Sequence, residues 1–76
     1  MRKITSIIPS EDFYLIAKFD NGVEKKFDFK PYLLLPVFSI LKDKLAFQDI
    51  KNQKYFIEWP KQELDLSADT LWHEGI

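Results

Sequence analysis

Side chains that could carry chemistry are sparse in this chain, and the single imidazole does not assemble a metal site. His73 is the only histidine, and the sequence contains no cysteine. One imidazole without thiolates or further imidazoles does not supply the ligands of a zinc centre. His73 lies near the end of a predicted C-terminal helix, where a cation interacts favourably with the helix dipole. We therefore interpret His73 as structural.

The carboxylates and hydroxyls also lack the arrangements that calcium-binding or hydrolytic proteins use. An EF-hand loop requires a glycine at its centre, and the acidic stretch of residues 63–74 contains none. A hydrolase serine lies in a Gly-x-Ser-x-Gly turn, whereas the only two glycines, Gly22 and Gly75, are not beside a serine. The same scarcity excludes a glycine-rich phosphate loop. We therefore predict a protein that is not an enzyme, with no catalytic residue, cofactor or metal. The acids considered are Glu63, Asp65, Asp69 and Glu74, and the serines are Ser6, Ser10, Ser39 and Ser67.

Composition predicts one small domain with a dense core. The chain has 76 residues, of which 46% are apolar and 16% aromatic, and its formal net charge is -1. A nucleic-acid-binding protein shows a basic patch, but Lys25 and Lys26 are flanked by Glu24 and Asp28, so we expect no direct nucleic-acid binding. The longest apolar run, residues 32–38, is far shorter than the roughly 20 residues of a membrane span. We expect a single domain over residues 1–76, located in the cytoplasm.

The positions that would bear function depend on how a hairpin at Asn21-Gly22 is aligned. A two-residue loop would place Lys18 opposite Lys25, and like charges directly opposite are unfavourable. A three-residue loop, residues 20–22, places Lys18 opposite Glu24 and puts Gly22 in the left-handed conformation. Because a shift of one residue exchanges the two faces of a strand, the apolar face decides for the three-residue loop. The predicted strands are residues 4–8, 13–19 and 23–29, and the predicted core face is Phe13, Leu15, Phe19, Val23, Phe27 and Phe29.

Two prolines punctuate the chain after this hairpin. Pro31 and Pro36 favour two short helical turns over one long helix, because proline is poorly tolerated in a helix interior. The second turn is predicted over residues 37–42. Its apolar stripe consists of Val37, Phe38, Ile40 and Leu41.

A second hairpin and a final helix complete the predicted order. Residues 47–51 and 55–59 are typical of two strands joined around Asn52-Gln53. Ser67 is a predicted N-cap for a helix over residues 68–74, which Gly75 ends. The order β-β-β-α-β-β-α predicts an α+β fold in which one antiparallel sheet of about five strands is covered by short helices.

The blocks YLIAKFDNGVEKKFDFKPYL, PVFSILKD, FQDI, IEWP and LDLSADTLW resemble the bacterial family called domain of unknown function 2442. The resemblance covers nearly the whole chain in order and spacing. It implies a small bacterial protein similar to the N-terminal domain of some helix-turn-helix regulators, or a stand-alone protein beside a second small protein, as in a toxin–antitoxin pair. It implies no catalytic residue, because the family has no established activity.

Aromatic residues remain the strongest candidates for function. Trp59, Trp72, Tyr32 and Phe38 either complete the core or form an anchor for a partner, since aromatic side chains dominate interface hot spots. We expect a non-enzymatic protein-interaction module of bacterial regulation, such as an antitoxin-like partner in a two-protein system. The alternatives are a small-molecule-sensing domain that acts in trans on a regulator, and an enzyme with an unrecognised site.

The first predicted strand bears on association. Residues 4–8 contain neither lysine nor proline, and an edge strand without them is open to pairing with another chain. We therefore expect a homodimer or a complex with another protein across this edge. If the strand is paired on both sides, the expectation is a monomer.

Overall fold

The strands of the chain form two separate antiparallel sheets. The computed structural model describes residues 2–76, in which the first sheet has the order β1-β2-β3 and the second the order β4-β5-β6. The strands are β1 (Ile4–Pro9), β2 (Tyr14–Phe19), β3 (Glu24–Asp28), β4 (Lys51–Asn52), β5 (Phe56–Trp59) and β6 (Leu64–Ser67). The α-helices are α1 (Lys44–Gln48) and α2 (Ala68–Glu74), and the 3-10 helices span Lys30–Leu34, Pro36–Lys42 and Pro60–Gln62.

The predicted three-residue hairpin loop is confirmed. Lys18 is paired with Glu24 and Leu15 with Phe27, and Gly22 has the left-handed φ of 86°. The prediction that Val23 belongs to the core is wrong, because 37% of its surface is exposed. Val23 lies between the turn and the first residue of β3, at the end of the sheet.

The prediction of one five-stranded sheet is wrong, although the α+β class is confirmed. The second sheet is separate because β3 is not extended by a strand from the second half of the chain. The backbone of Ile76 instead exchanges two hydrogen bonds with Lys26, of 2.9 and 3.0 Å, along the outer edge of β3. Ile4 provides the hydrogen-bonded link between the sheets, since its N–H donates to the carbonyl of Lys54 at 2.7 Å.

Two predicted elements of the second half also need correction. Phe47, expected to begin a strand, lies in α1, because Asp43 caps that helix by accepting a hydrogen bond from the Leu45 N–H at 3.0 Å. The strand β6 was not predicted. Glu63, with a left-handed φ of 56°, reverses the chain after the third 3-10 helix, so that β6 pairs with β5.

The remaining helical predictions are confirmed. Two short 3-10 helices begin next to Pro31 and Pro36, as the prolines indicate. Ser67 caps α2 by accepting a hydrogen bond from the Thr70 N–H at 3.1 Å, and Gly75 follows the helix. Gly75 does not adopt the left-handed conformation, because its φ is -76°. No helix within residues 2–76 is long and apolar enough to cross a membrane.

The core lies between the two sheets and the short helices. β2 contributes three buried side chains, and α1, α2 and the first two 3-10 helices each contribute at least one. Trp59 and four phenylalanines are the largest side chains of this core, which therefore supplies a dense apolar interior for a small domain. The buried residues are Ile4, Leu15, Ala17, Phe19, Phe27, Phe29, Leu33, Leu41, Phe47, Ile57, Trp59, Ala68 and Leu71.

Candidate interaction surface

Trp59 belongs to the core and contributes nothing to the surface. Its side chain is 0% exposed, and its ring is 5.3 Å from that of Phe29. The indole N–H donates a hydrogen bond of 2.8 Å to the carbonyl of Phe47. This bond satisfies the only polar group of the indole, so the structure assigns Trp59 to the stability of the fold.

Trp72 lies at the boundary between core and surface. Its ring meets Phe19 edge to face at 5.1 Å. The guanidinium of Arg2 lies 4.3 Å from the ring centroid and the ammonium of Lys25 lies 4.9 Å from it. Cations over an indole face are attracted by the ring quadrupole. Arg2 also forms an ion pair with Asp69 at 3.5 Å, which helps to hold it in place. The part of Trp72 at the surface is therefore in contact with charged side chains of the same molecule.

Tyr32 and Phe38 are the two predicted aromatic residues that come together. The ring of Tyr32 stacks on Phe29 with centroids 5.4 Å apart. Phe38 meets Tyr32 edge to face at 5.9 Å. Both side chains are half-buried, so each anchors a 3-10 helix to the core and leaves part of its ring at the surface.

The hydroxyl of Tyr32 reaches across to the C-terminal helix. It donates a hydrogen bond of 2.6 Å to Oε1 of Glu74, in the last turn of α2. This hydrogen bond, together with partial burial, raises the pKa of Tyr32 to about 12. The phenol therefore remains protonated over the whole physiological range and acts as a fixed donor to the carboxylate.

A shallow groove lies beside this hydrogen bond. Its volume is about 270 Å³, and it is lined by Pro31, Tyr32, Leu35 and Glu74. Two aliphatic side chains, one aromatic ring and one carboxylate therefore meet at a single concave site. The sequence indicates Tyr32 as an aromatic candidate and Glu74 only as a possible metal ligand, because residues 42 positions apart are brought together only by the tertiary structure.

Exposed apolar side chains are concentrated in the helical segment that connects the two sheets in sequence. Among the described residues, five of the ten large hydrophobic side chains that are exposed lie between residues 34 and 45. We call these five the aliphatic surface. Its members are Leu34, Leu35, Val37, Ile40 and Leu45.

The geometry of a 3-10 helix explains why two members of the aliphatic surface, Val37 and Ile40, face outward. Residues three apart lie on the same side of such a helix. In the second 3-10 helix, Phe38 and Leu41 face the core, so Val37 and Ile40 lie together on another side. The predicted stripe combined all four residues on one face. A period of three separates Val37 and Ile40 from Phe38 and Leu41. Pro31 and Pro36 favour this period because they interrupt a regular α-helix.

The edge of β1 offers a second surface, although it is better protected than the sequence suggests. β1 is an edge strand, and its first residue is tied by Asn52, whose Nδ2 donates to the Ile4 carbonyl at 2.9 Å. The backbone N–H of Ser10 donates to the Tyr14 carbonyl, so the backbone groups of Ser10 face β2. Because successive residues of a strand direct these groups to opposite sides, the backbone of Ile7 faces the free edge. Pro9 is the last residue of β1 and has no N–H. The free edge is therefore short.

The acidic residues and the histidine considered from the sequence are distributed over the C-terminal part of the fold. No three histidine, aspartate or glutamate side chains within residues 2–76 come together as a group that holds a metal ion. Asp69 lies in the first turn of α2 and His73 in its last turn, where both suit the helix dipole.

Comparison with known proteins gives a family and no activity. A family model described as "protein of unknown function (DUF2442)" matches residues 4–76. Neither the curated proteins nor the solved structures gave a match to this chain.

Proposed function

The chain belongs to the DUF2442 family, and we propose that it is a non-enzymatic protein-interaction module that binds a partner protein through the aliphatic surface. The observation that carries this proposal is the concentration of exposed leucine, isoleucine and valine side chains in one helical segment. Large exposed apolar areas mark interaction sites on soluble proteins.

Burial of this surface supplies the driving force. Val37 and Ile40 are 60% and 52% exposed, and Leu34 and Leu45 are 81% and 80% exposed. Each buried Å² of apolar area contributes about 25 cal/mol. The partly exposed rings of Tyr32, just before this segment, and of Phe38, within it, supply the aromatic character that interface centres favour. A partner that covers the segment therefore gains from several neighbouring side chains.

The biological setting that we propose is bacterial regulation in the cytoplasm. There the chain would act as an antitoxin-like partner of a second small protein. This part of the proposal is supported by the family resemblance and by the absence of cysteine, which suits a reducing compartment.

Affinity capture with matched variants tests the proposal. The tagged chain is expressed in its source cells, and proteins that are recovered in stoichiometric amounts are identified. Val37→Lys places a charge in the aliphatic surface. Ile8→Lys is the control, since Ile8 has a similar exposure of 56% but lies on β1. We expect Val37→Lys to lose the partner and Ile8→Lys to retain it. Equal recovery by both variants would contradict the proposed surface.

The partner bound through the aliphatic surface can also be a second copy of the chain, which would form a homodimer. Light scattering over a concentration series measures this association. If the aliphatic surface forms a homodimer, the mass of the wild type doubles from 9.1 kDa and that of Val37→Lys does not. If Ile8→Lys abolishes the dimer instead, the contact lies at the edge of β1.

A small-molecule-sensing domain that acts in trans on a regulator is the second candidate function. The groove of about 270 Å³ favours it, because ligand sites are concave and mainly apolar with a few polar groups. A screen of metabolites by NMR tests it. A compound that shifts only the amides of residues lining the groove, at micromolar concentration, would support sensing over protein binding.

A further inference from the structure

The carboxylate of Glu74 lies in an electrostatically unfavourable position. It is in the last turn of α2, where the helix dipole is negative and an anion is disfavoured. Ion pairs among residues 2–76 join Arg2 to Asp69, Lys30 to Asp28 and Lys61 to Asp49, and Glu74 takes part in none of them. The Tyr32 hydroxyl supplies one donor. A cation in the groove would compensate both the dipole and the charge.

The other walls of the groove suit a cation on an apolar stem. Pro31 and Leu35 offer aliphatic contacts, and Tyr32 offers the part of its ring that the stacking on Phe29 leaves exposed. An aromatic face attracts a cation within about 6 Å of its centroid. A guanidinium suits this arrangement better than an ammonium, because its planar group stacks on aromatic rings and donates two parallel hydrogen bonds to a carboxylate.

We propose that the groove lined by Pro31, Tyr32, Leu35 and Glu74 binds an arginine side chain of the partner protein. Leu35 belongs both to the groove and to the aliphatic surface, so a partner on that surface lies beside the groove. The inference rests on the proposed interaction function for the source of the arginine. Charge complementarity with Glu74 specifies the class of side chain.

The test uses a small probe, so that it does not depend on an identified partner. N-acetyl-arginine-methylamide is titrated into the labelled full chain, and amide shifts are followed by NMR. The matched probes are N-acetyl-lysine-methylamide, N-acetyl-norleucine-methylamide and N-acetyl-glutamate-methylamide. We expect saturable shifts at residues 31–35 and 74 with the arginine probe, weaker shifts with lysine, and none with norleucine or glutamate.

Two variants locate the binding. Glu74→Gln removes the charge from an exposed side chain, and we expect it to weaken arginine binding about tenfold, the size of a lost charge-assisted hydrogen bond. Tyr32→Phe retains the ring and removes the hydroxyl, so a smaller loss is expected. Glu11→Gln is the matched control, because it removes an exposed carboxylate in a turn outside the groove, and its binding is expected to equal that of the wild type.

The outcomes separate this inference from the proposed function. Equal arginine binding by Glu74→Gln and the wild type, or equal shifts with the arginine and norleucine probes, would overturn the arginine site. Equal binding of the lysine probe would overturn the preference for a guanidinium. Loss of partner capture by Val37→Lys, with no arginine binding in the groove, would leave the interaction function standing and remove only the inference about the groove.

Discussion

Gly75 is the position at which we expect an added methyl group to be most disruptive. Its φ of -76° and ψ of 158° are accessible to any residue, so backbone strain is not the cause. A Cβ at this position would lie 2.6 Å from the carbonyl oxygen of Leu71 and 2.9 Å from the Cβ of Lys25. The Leu71 oxygen belongs to the backbone of α2 and cannot move aside easily. Residue 75 itself must therefore shift in Gly75→Ala.

The cost of this shift follows from the hydrogen bonds that it breaks. The Gly75 N–H donates to the Leu71 carbonyl at 3.0 Å, and Ile76 exchanges two bonds with Lys26. At about 1 kcal/mol for each bond, their complete loss costs about 3 kcal/mol. Alanine also lowers the conformational entropy of the unfolded chain, which stabilises the folded state by about 0.4–1 kcal/mol. We therefore expect Gly75→Ala to lower the free energy of unfolding by about 2 kcal/mol.

Urea denaturation measures the change in stability, and hydrogen exchange of the Lys26 amide tests its cause. This amide donates to the Ile76 carbonyl, so Gly75→Ala should accelerate its exchange beyond the general loss of stability. Gly22→Ala is the control. A Cβ at Gly22 meets no atom within 4 Å, but its left-handed φ costs about 1–2 kcal/mol without a specific effect on Lys26. Wild-type stability of Gly75→Ala together with unchanged Lys26 exchange would show that a Cβ at residue 75 is accommodated without loss of these hydrogen bonds.

Three further predictions concern the turn, the phenol and the core. Gly22→Val should lower the free energy of unfolding by about 1–2 kcal/mol, because a β-branched residue is strained at positive φ; equal urea midpoints would contradict it. The Tyr32 hydroxyl, followed by carbon NMR of its ring, should titrate near pH 12, and Glu74→Gln should return its pKa toward 10.0. Since the folded-state pKa is raised, the stability that this hydrogen bond contributes is fully present below pH 10 and is lost as pH rises through 12. Trp59→Phe should cost about 2–4 kcal/mol in urea melts, because it leaves a cavity and removes the donor to the Phe47 carbonyl; a change within measurement error would show that the indole is not required by the core.

The candidate site was only partly predictable from the sequence. Tyr32 and Phe38 were recognised by residue type, and the structure places them side by side. Trp59 has the same interface-forming character, but its burial depends on contacts with Phe29 and Phe47, which the residues next to it in sequence do not specify. Glu74 was considered as a possible ligand and not as a partner of Tyr32, because no local pattern relates the two positions. Val37 and Ile40 face outward because the segment is a 3-10 helix with three residues per turn. An α-helical period of 3.6 places them on the same face as Phe38 and Leu41.

The features that neighbouring residues specify could be predicted from the sequence. The pairing of Lys18 with Glu24 and the left-handed Gly22 follow from cross-strand charge and turn chemistry within a dozen residues. The Ser67 cap of α2 is likewise set within one helical turn. The division of the strands into two sheets depends instead on the assembled fold. The outer edge of β3 can pair either with a strand or with the C-terminal backbone. Because backbone hydrogen bonds do not depend on the type of side chain, the sequence pattern does not distinguish these two pairings. Ile76 takes that edge because Gly75 allows α2 to approach Lys25 closely, a fit that depends on the assembled core.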